Sequence, residues 1–438
     1  MLTKHLNTEF EDAKALFQLG YVMMKSDSTG LGFNFLKRSA ELDPGQAATW
    51  HNIAKCYHDI QKPDLAEEYF RRALKVDPSF SSALEGMSMI CLENGDFDGG
   101  IGYANRALVD GDGADDARIN RGMAYLALKR WREGWRDYNT NIGIEKNRKE
   151  YKYGDEPRWD GTKGKDIILY TEQGLGDELS FGTVIPDLVR DSKSVTIECD
   201  GRIEGLFKRS FPMCEVHGTR YKEKRPAWCS EKKFDARVAA GYLPQVYRLK
   251  DSDFHGKPYL IPHPQMAMQW RVLLDSLGPK PKIGLAWAGG IPKTGQRRRT
   301  VTLDTLSPLF KFDADWISLQ YKDYDEIPQA EEKYGIKIHD WDWGVRVRDY
   351  DQTVALISEL DLVISVCTSV VHAAGGLGKE CWCLVPQVPM WRYLKEGSWF
   401  PWASSVTLYR QKGREWPVHT LAAKLKEKFG DNLKRQAA

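Results

Sequence analysis

Residues 361–378, DLVISVCTSVVHAAGGLG, decide the fold. Positions 361–366 are an apolar run, the pattern of a strand buried on both faces of a parallel sheet. Cys367-Thr368-Ser369 make a polar elbow. Small residues and one His follow, as at the start of a helix that ends in Gly375-Gly376-Leu377-Gly378. Strand, elbow and small-residue helix start are how an α/β fold builds an anion site. The helix N-terminus leaves N–H groups unpaired and carries about half a positive charge. The hydroxyls of Thr368 and Ser369 add donors. The elbow is therefore expected to hold a diphosphate.

Upstream of the elbow, alternation continues. Residues 282–287 (KIGLAW) read as a strand that opens into Ala288-Gly289-Gly290. The loop beyond carries Lys293 and Arg297-Arg298-Arg299, whose guanidinium groups suit phosphate oxygens. Residues 316–320 (WISLQ) and 336–339 read as strands, and 352–360 as a helix. Downstream, 381–385 and 406–409 are strands, 386–402 is a Trp- and Pro-rich loop, and 420–429 is the final helix. An earlier unit starts with a strand at 165–170 (KDIILY) and turns through Gly174-Leu175-Gly176-Asp177 into a helix. Gly174 and Gly176 allow backbone to approach a ligand closely, and Asp177 sits at the helix start, where it can cap or act as a base. The third Gly of a dinucleotide fingerprint is missing, which speaks against NAD. Further strands are expected at 194–199, 234–238 and 257–261, with helices at 203–210 and 266–276. Two doubly wound lobes facing a cleft result.

The first third is different. Asp43-Pro44 and Asp77-Pro78 recur 34 residues apart. In the unit 47–80, large residues stand at Trp50, Ile53, Tyr57 and Phe70, and small ones at Ala54, Ala66 and Ala73. Units 13–46, 81–114 and 115–148 keep the frame, with Gly20/Gly32, Ser88/Gly100 and Gly122/Gly134 at the two small positions. This pattern resembles the tetratricopeptide (TPR) repeat, a stack of helical hairpins with a concave face for a partner. The array is expected to bind a protein or to self-associate, and its aromatic fourth unit (Trp131, Trp135, Tyr138) to dock on the next domain. The expected domains are 1–148, the repeats; 149–280, the first lobe; and 281–438, the second lobe with its terminal helix. Residues 141–164 read as a charged connector.

Composition narrows the function. The 438 residues carry 63 Lys+Arg against 61 Asp+Glu, so no global basic excess points to nucleic acid. The eight Cys form no C-x-x-C pair and read as buried thiols. No window reaches the roughly 18 apolar residues of a membrane span, and the N-terminus has no signal-peptide core. A reducing, cytoplasmic location is expected. Asp313-Ala-Asp315 and Asp340-Trp-Asp342 are short acidic strings, and no metal site is read from them.

Several segments keep one order over 131–410: EGWRDY (133–138), EPRWDG (156–161), EQGLGDELSF (172–181), IGLAWAGG with RRRTV (283–301), SLQ (318–320), the elbow stretch and PMWRYL (389–394). Together they resemble bacterial TPR-linked glycosyltransferases related to heptosyltransferases and, more distantly, to protein O-GlcNAc transferase. The resemblance implies an α + α/β chain: a TPR solenoid, then a GT-B-like pair of Rossmann-type lobes, the acceptor on the first and a nucleotide-sugar on the second. It implies Asp177 as general base. It implies donor contacts at Gly174, Gly176, Arg297, Arg298, Arg299, Gln320, Thr368, Ser369 and His372. No metal and no cofactor are implied, the nucleotide-sugar being a substrate, and the acceptor is a hydroxyl of a protein or glycan. Two departures stand out: Cys367 replaces the usual Asp, and Gly295-Gln296 replaces an Asn-Asp pair. Competing readings are a non-catalytic TPR adaptor with a degenerate transferase domain, and a transferase acting on hydroxylated bases in nucleic acid, which would use the basic stretches 218–233 and 293–299.

Overall fold

The computed structural model describes residues 12–26, 29–109, 115–144, 148–220, 226–290, 296–322, 325–346 and 349–430, without the side chains of Thr29 and Arg297. Two compact units divide it, Met1–Asn141 and Ile142–Ala438.

Among the described residues the first unit is a row of four antiparallel helical hairpins. They are Ala13–Met24 with Thr29–Leu42, Ala47–Asp59 with Pro63–Val76, Ser81–Glu93 with Phe97–Ala107, and Asp115–Ala127 with Trp131–Tyr138. Each hairpin crosses where the repeat places its small residues. A Cβ on Gly32 would lie 2.7 Å from the Gly20 carbonyl oxygen, and one on Gly122 2.5 Å from the Tyr138 nitrogen. Ser88 donates to the Gly100 carbonyl at 2.8 Å. Phe70 fills the gap between successive hairpins, so close that a Cβ on Gly86 would meet its ring at 2.4 Å. Local signals set the helix starts. Pro63 stands in the first turn of its helix, and Asp96 accepts the Gly99 N–H at 2.9 Å.

The second unit holds two parallel sheets. The first comprises β1 (Asp166–Tyr170), β2 (Ser194–Glu198), β3 (Glu215–His217) and β4 (Ala236–Ala239), in the order β3-β2-β1-β4. The second comprises β5 (Lys282–Ala286), β6 (Asp315–Ser318), β7 (Ile338–His339), β8 (Leu362–Val366), β9 (Cys381–Val385) and β10 (Val406–Arg410), in the order β10-β9-β8-β5-β6-β7. These strands pair with one another in parallel throughout. The second order is the doubly wound one: the chain winds outward from β5 one way, then returns to β8 and winds the other way. Its switch point lies between β5 and β8, and that of the first sheet between β1 and β4. Strands β5, β8 and β9 are buried at every residue, as helix-covered parallel strands must be.

Four expectations change. Residues 257–261 join no sheet. They run extended against the helix Ser369–Leu377, with the Tyr259 and Leu260 N–H groups donating to the Gly376 carbonyl at 2.7 and 2.9 Å. A Cβ on Gly376 would meet Leu260 Cδ1 at 2.6 Å, so the glycine permits this contact. The edge strand β3 escapes the pattern because only Val216 in it is apolar. The connector is part of the first lobe. Tyr153 is 1% exposed, Arg148 is 2% exposed, and Trp159 donates to the Arg237 carbonyl at 2.8 Å. The helix Pro264–Asp275, expected in the first lobe, packs on the helix Tyr350–Glu359 of the second. Its Trp270 stacks on Trp343 at 4.0 Å and donates to Gln352 at 3.2 Å.

Candidate functional site

The carboxyl ends of the two sheets line a cleft of about 640 Å³. On its first wall, β1 passes through Thr171-Glu172-Gln173-Gly174 into the helix Leu175–Gly182. Asp177 occupies the first turn of that helix. Its Oδ2 accepts the Gly174 N–H at 3.0 Å, so it caps the helix, and its Oδ1 lies 2.5 Å from Arg392 Nη2. Gly174 has an ordinary extended backbone (φ −71°). Gly176 earns its place by proximity, since a Cβ there would sit 3.5 Å from the His372 ring and 3.6 Å from Ser369 Cα.

A network of buried charges holds this wall. Arg148 donates to Glu172 at 3.0 Å through Nε. Arg220 pairs with Glu178 and, at 2.8 Å, with Asp200. Arg202 reaches into the cleft from its own pair with Asp200.

The elbow forms the second wall. Thr368 is the N-cap of the helix Ser369–Leu377, and its Oγ1 accepts the Val370 N–H at 3.3 Å. Ser369 opens the helix and lines the cleft. The loop leaving β5 presses close, because a Cβ on Gly289 would lie 2.3 Å from Thr368 Cγ2. Only a residue without a side chain leaves the cap in place there. His372 is 7% exposed. Burial first, and then the neighbouring Arg392 charge, depress its pKa to about 3, so the ring is neutral. Its Nε2 lies 3.4 Å from the Tyr393 hydroxyl. Its Nδ1 is buried without a hydrogen-bond partner among the described residues.

Of the arginine loop, Arg299 lines the cleft and donates to the Cys367 carbonyl at 3.1 Å. Arg298 is exposed and does not line it. Lys293 and the Arg297 side chain lie outside the described residues, as do 221–225 of the other basic stretch. Gln320 lies apart from the ligand space. It is fully buried, and its amide is spent on backbone. Its Oε1 accepts the Trp287 and Ala288 N–H groups at 3.1 and 3.2 Å, and its Nε2 donates to the Ala288 and Lys322 carbonyls at 2.7 and 2.6 Å. It shapes the turn after β5 and does not face the cleft. Cys367, where an acid was expected from the resemblance, is 3% exposed, with its Sγ 3.9 Å from Cys383 Sγ and 3.7 Å from the Leu384 carbonyl.

The acidic strings are matched by cations. Asp313 pairs with Lys280 at 2.8 Å and Asp315 with Lys282 at 2.9 Å. Arg346, another cleft residue, takes both Asp340 (2.6 Å) and Asp342 (2.6 Å through Nε). Among the described residues no cluster of three or more His, Cys, Asp or Glu is placed to hold a metal ion. Arg202, Arg346, Arg392 and the half-exposed Tyr321 are cleft residues the sequence did not single out. Arg392 alone stood in a quoted segment, PMWRYL, and nothing in that string points to its partner.

Residues 47–80 match the tetratricopeptide repeat family model. Over 418 residues the chain is 26% identical to Protein FlbA of Caulobacter vibrioides, spanning 91% of this chain and 70% of that protein. Among solved structures, it resembles MamA at 19% identity over 33% of this chain and 84% of that one, with a TM-score of 0.29. It also resembles YrrB, described as a TPR protein with an unusual peptide-binding site, at 17% identity over 32% of this chain and 71% of that one, with a TM-score of 0.29. The helical first unit is TPR-like, with one of its repeats, 47–80, matching the family model. No helix among the described residues is long and apolar enough to cross a membrane.

Proposed function

We propose that the second unit is a glycosyltransferase of GT-B type that moves a sugar from a nucleotide-sugar to a hydroxyl of a protein or glycan. One observation carries this reading. A single cleft gathers a carboxylate, Asp177, against the N-terminus of the helix Ser369–Leu377 and Arg299, with the two walls supplied by two parallel sheets. The donor's diphosphate sits on the helix N-terminus and Arg299. The acceptor oxygen attacks the anomeric carbon and gives its proton to Asp177. The bond from that carbon to the diphosphate breaks, and the nucleoside diphosphate leaves with the electron pair. Fixed N–H groups and the guanidinium favour that charge more as it develops, which is where catalysis gains. These groups do the work assigned to a metal in other transferases, so activity survives a chelator.

The TPR array would present a protein acceptor or hold a second copy of the chain. The reaction belongs in the cytoplasm, where eight free thiols stay reduced. One observation favours the competing reading, an adaptor without catalysis: both Asp177 oxygens are already engaged.

The test incubates the protein with UDP-, GDP-, CDP- and ADP-sugars and scores nucleoside diphosphate release and melting temperature, with and without EDTA. One donor should raise the melting temperature and be slowly hydrolysed in EDTA. If no donor does either, the transferase reading fails and the adaptor stands. Strict dependence on added Mn²⁺ would overturn the metal-free mechanism. Strong, salt-sensitive DNA binding would favour a nucleic-acid acceptor.

A further inference from the structure

Arg392 joins the two walls of the cleft. It stands in the loop after β9, and its side chain is 6% exposed. Its Nη2 lies 2.5 Å from Asp177 Oδ1, in the first turn of the helix Leu175–Gly182, and 3.3 Å from Gln173 Oε1, on the loop leaving β1. The guanidinium lies over the Trp391 ring, 4.3 Å from its centroid. The loop is held firmly. Leu394, two residues on, has φ +59°, a left-handed backbone that a branched side chain adopts only under constraint. Arg410 supplies the constraint, donating to the carbonyls of Tyr393 (2.6 Å), Leu394 (3.0 Å), Glu396 (3.1 Å) and Gly397 (2.7 Å). Arg392 is therefore held by a rigid support, and it lines the same cleft as Asp177, Ser369 and His372.

We propose that Arg392 is a donor-operated latch: until a donor binds it holds Asp177, and the diphosphate of an incoming nucleotide-sugar takes its guanidinium over, freeing Asp177 Oδ1 for the acceptor hydroxyl. This rests on the transferase reading above. The chemistry is a competition of anions for one cation. Asp177 offers a single carboxylate. A diphosphate offers more charge and several oxygens in the spacing a planar guanidinium fork prefers. The close approach of Gly176 to Ser369 puts the two rivals side by side. With this latch the base stays engaged until a donor arrives, so donor binding precedes proton transfer. Arg392 is a positioning residue toward Asp177 and a ligand residue toward the donor.

Competition makes a prediction that a purely structural ion pair does not. The full chain and its variants are titrated calorimetrically with UDP, GDP, CDP and ADP, after circular dichroism shows native folding. Asp177→Asn keeps an acceptor for the Gly174 N–H but removes the rival charge, so the nucleoside diphosphate should bind about tenfold tighter, the usual size of such coupling. Arg392→Gln should weaken binding by at least about tenfold, and Arg392→Lys by less. Adding Asp177→Asn to Arg392→Gln should change nothing further. If the wild type binds a diphosphate and Asp177→Asn binds it equally or more weakly, the latch is wrong while the nucleotide site stands. A flat wild-type titration with all four diphosphates removes the transferase reading, and the latch with it.

Discussion

Replacing Gln320 by Leu separates a wall-building role from a ligand-binding one. The side chain is fully buried and makes four hydrogen bonds to backbone, two accepted and two donated. Leu fits the volume but offers no polar atom. The two carbonyls lose one donor each, which is tolerable for groups with two lone pairs. The Trp287 and Ala288 N–H groups lose the acceptor that meets them both. At about 1–3 kcal/mol for each orphaned buried donor, the cost is about 2–5 kcal/mol after partial relaxation. For a unit of this size that lowers the melting temperature by roughly 3–8 °C. The assay is thermal melting followed by near-UV circular dichroism, which reads the packing of the aromatic side chains, Trp287 among them. Nucleoside diphosphate affinity is then measured well below the transition. We expect a large loss of stability and an affinity within about threefold of wild type, since the amide does not face the ligand and a direct contact to a charged group would carry more. An unchanged melting temperature together with a large loss of affinity would refute the reasoning and return Gln320 to the donor site.

Two further outcomes test the rest of the molecule. His51 in the TPR array and His372 in the cleft are both held neutral chiefly by burial, with pKa depressed from 6.5 to about 4 and about 3. The unfolded chain takes up these protons below about pH 6.5 and the folded chain does not, so each histidine costs stability as pH falls toward its folded value. His372→Gln should flatten the fall in urea midpoint between pH 6.5 and about 4 relative to wild type, and parallel curves would exclude the buried neutral ring. Gly122→Ala gains helix propensity but puts a Cβ 2.5 Å from the Tyr138 nitrogen. Backbone cannot yield there without opening the hairpin, so a net loss of about 1–3 kcal/mol is expected in urea melts, and a more stable variant would contradict the crossing geometry.

Much of the architecture was legible because it is locally encoded. Strands covered on both faces need unbroken apolar runs, and Leu362–Val366 and Cys381–Val385 are such runs. Hairpins that cross closely need small residues at matching positions, and the 34-residue frame supplies them. The short edge strand β3 carries no comparable pattern, because an edge buries too little to demand one. The charged stretch 141–164 misled for another reason. Its charges are satisfied inside the lobe, Arg148 by Glu172 and Glu150 by Arg158 and Arg237. Composition reads a charge as solvated and cannot see a distant partner.

The candidate site divides along the same line. Thr368, Ser369 and His372 are placed in the cleft by the elbow and helix they belong to, Arg299 by the loop after β5, and Asp177 by the turn after β1. Gln320 left the site and Arg392 entered it because folding alone decides which side chains meet. The elbow at 361–378 and the repeat frame follow from the sequence by itself, since periodicity and capping act within a few residues. The pairing of Asp177 with Arg392, the neutral His372 and the buried Cys367 were decided only by tertiary structure. Charge, protonation and access depend on neighbours that the chain brings together from far apart.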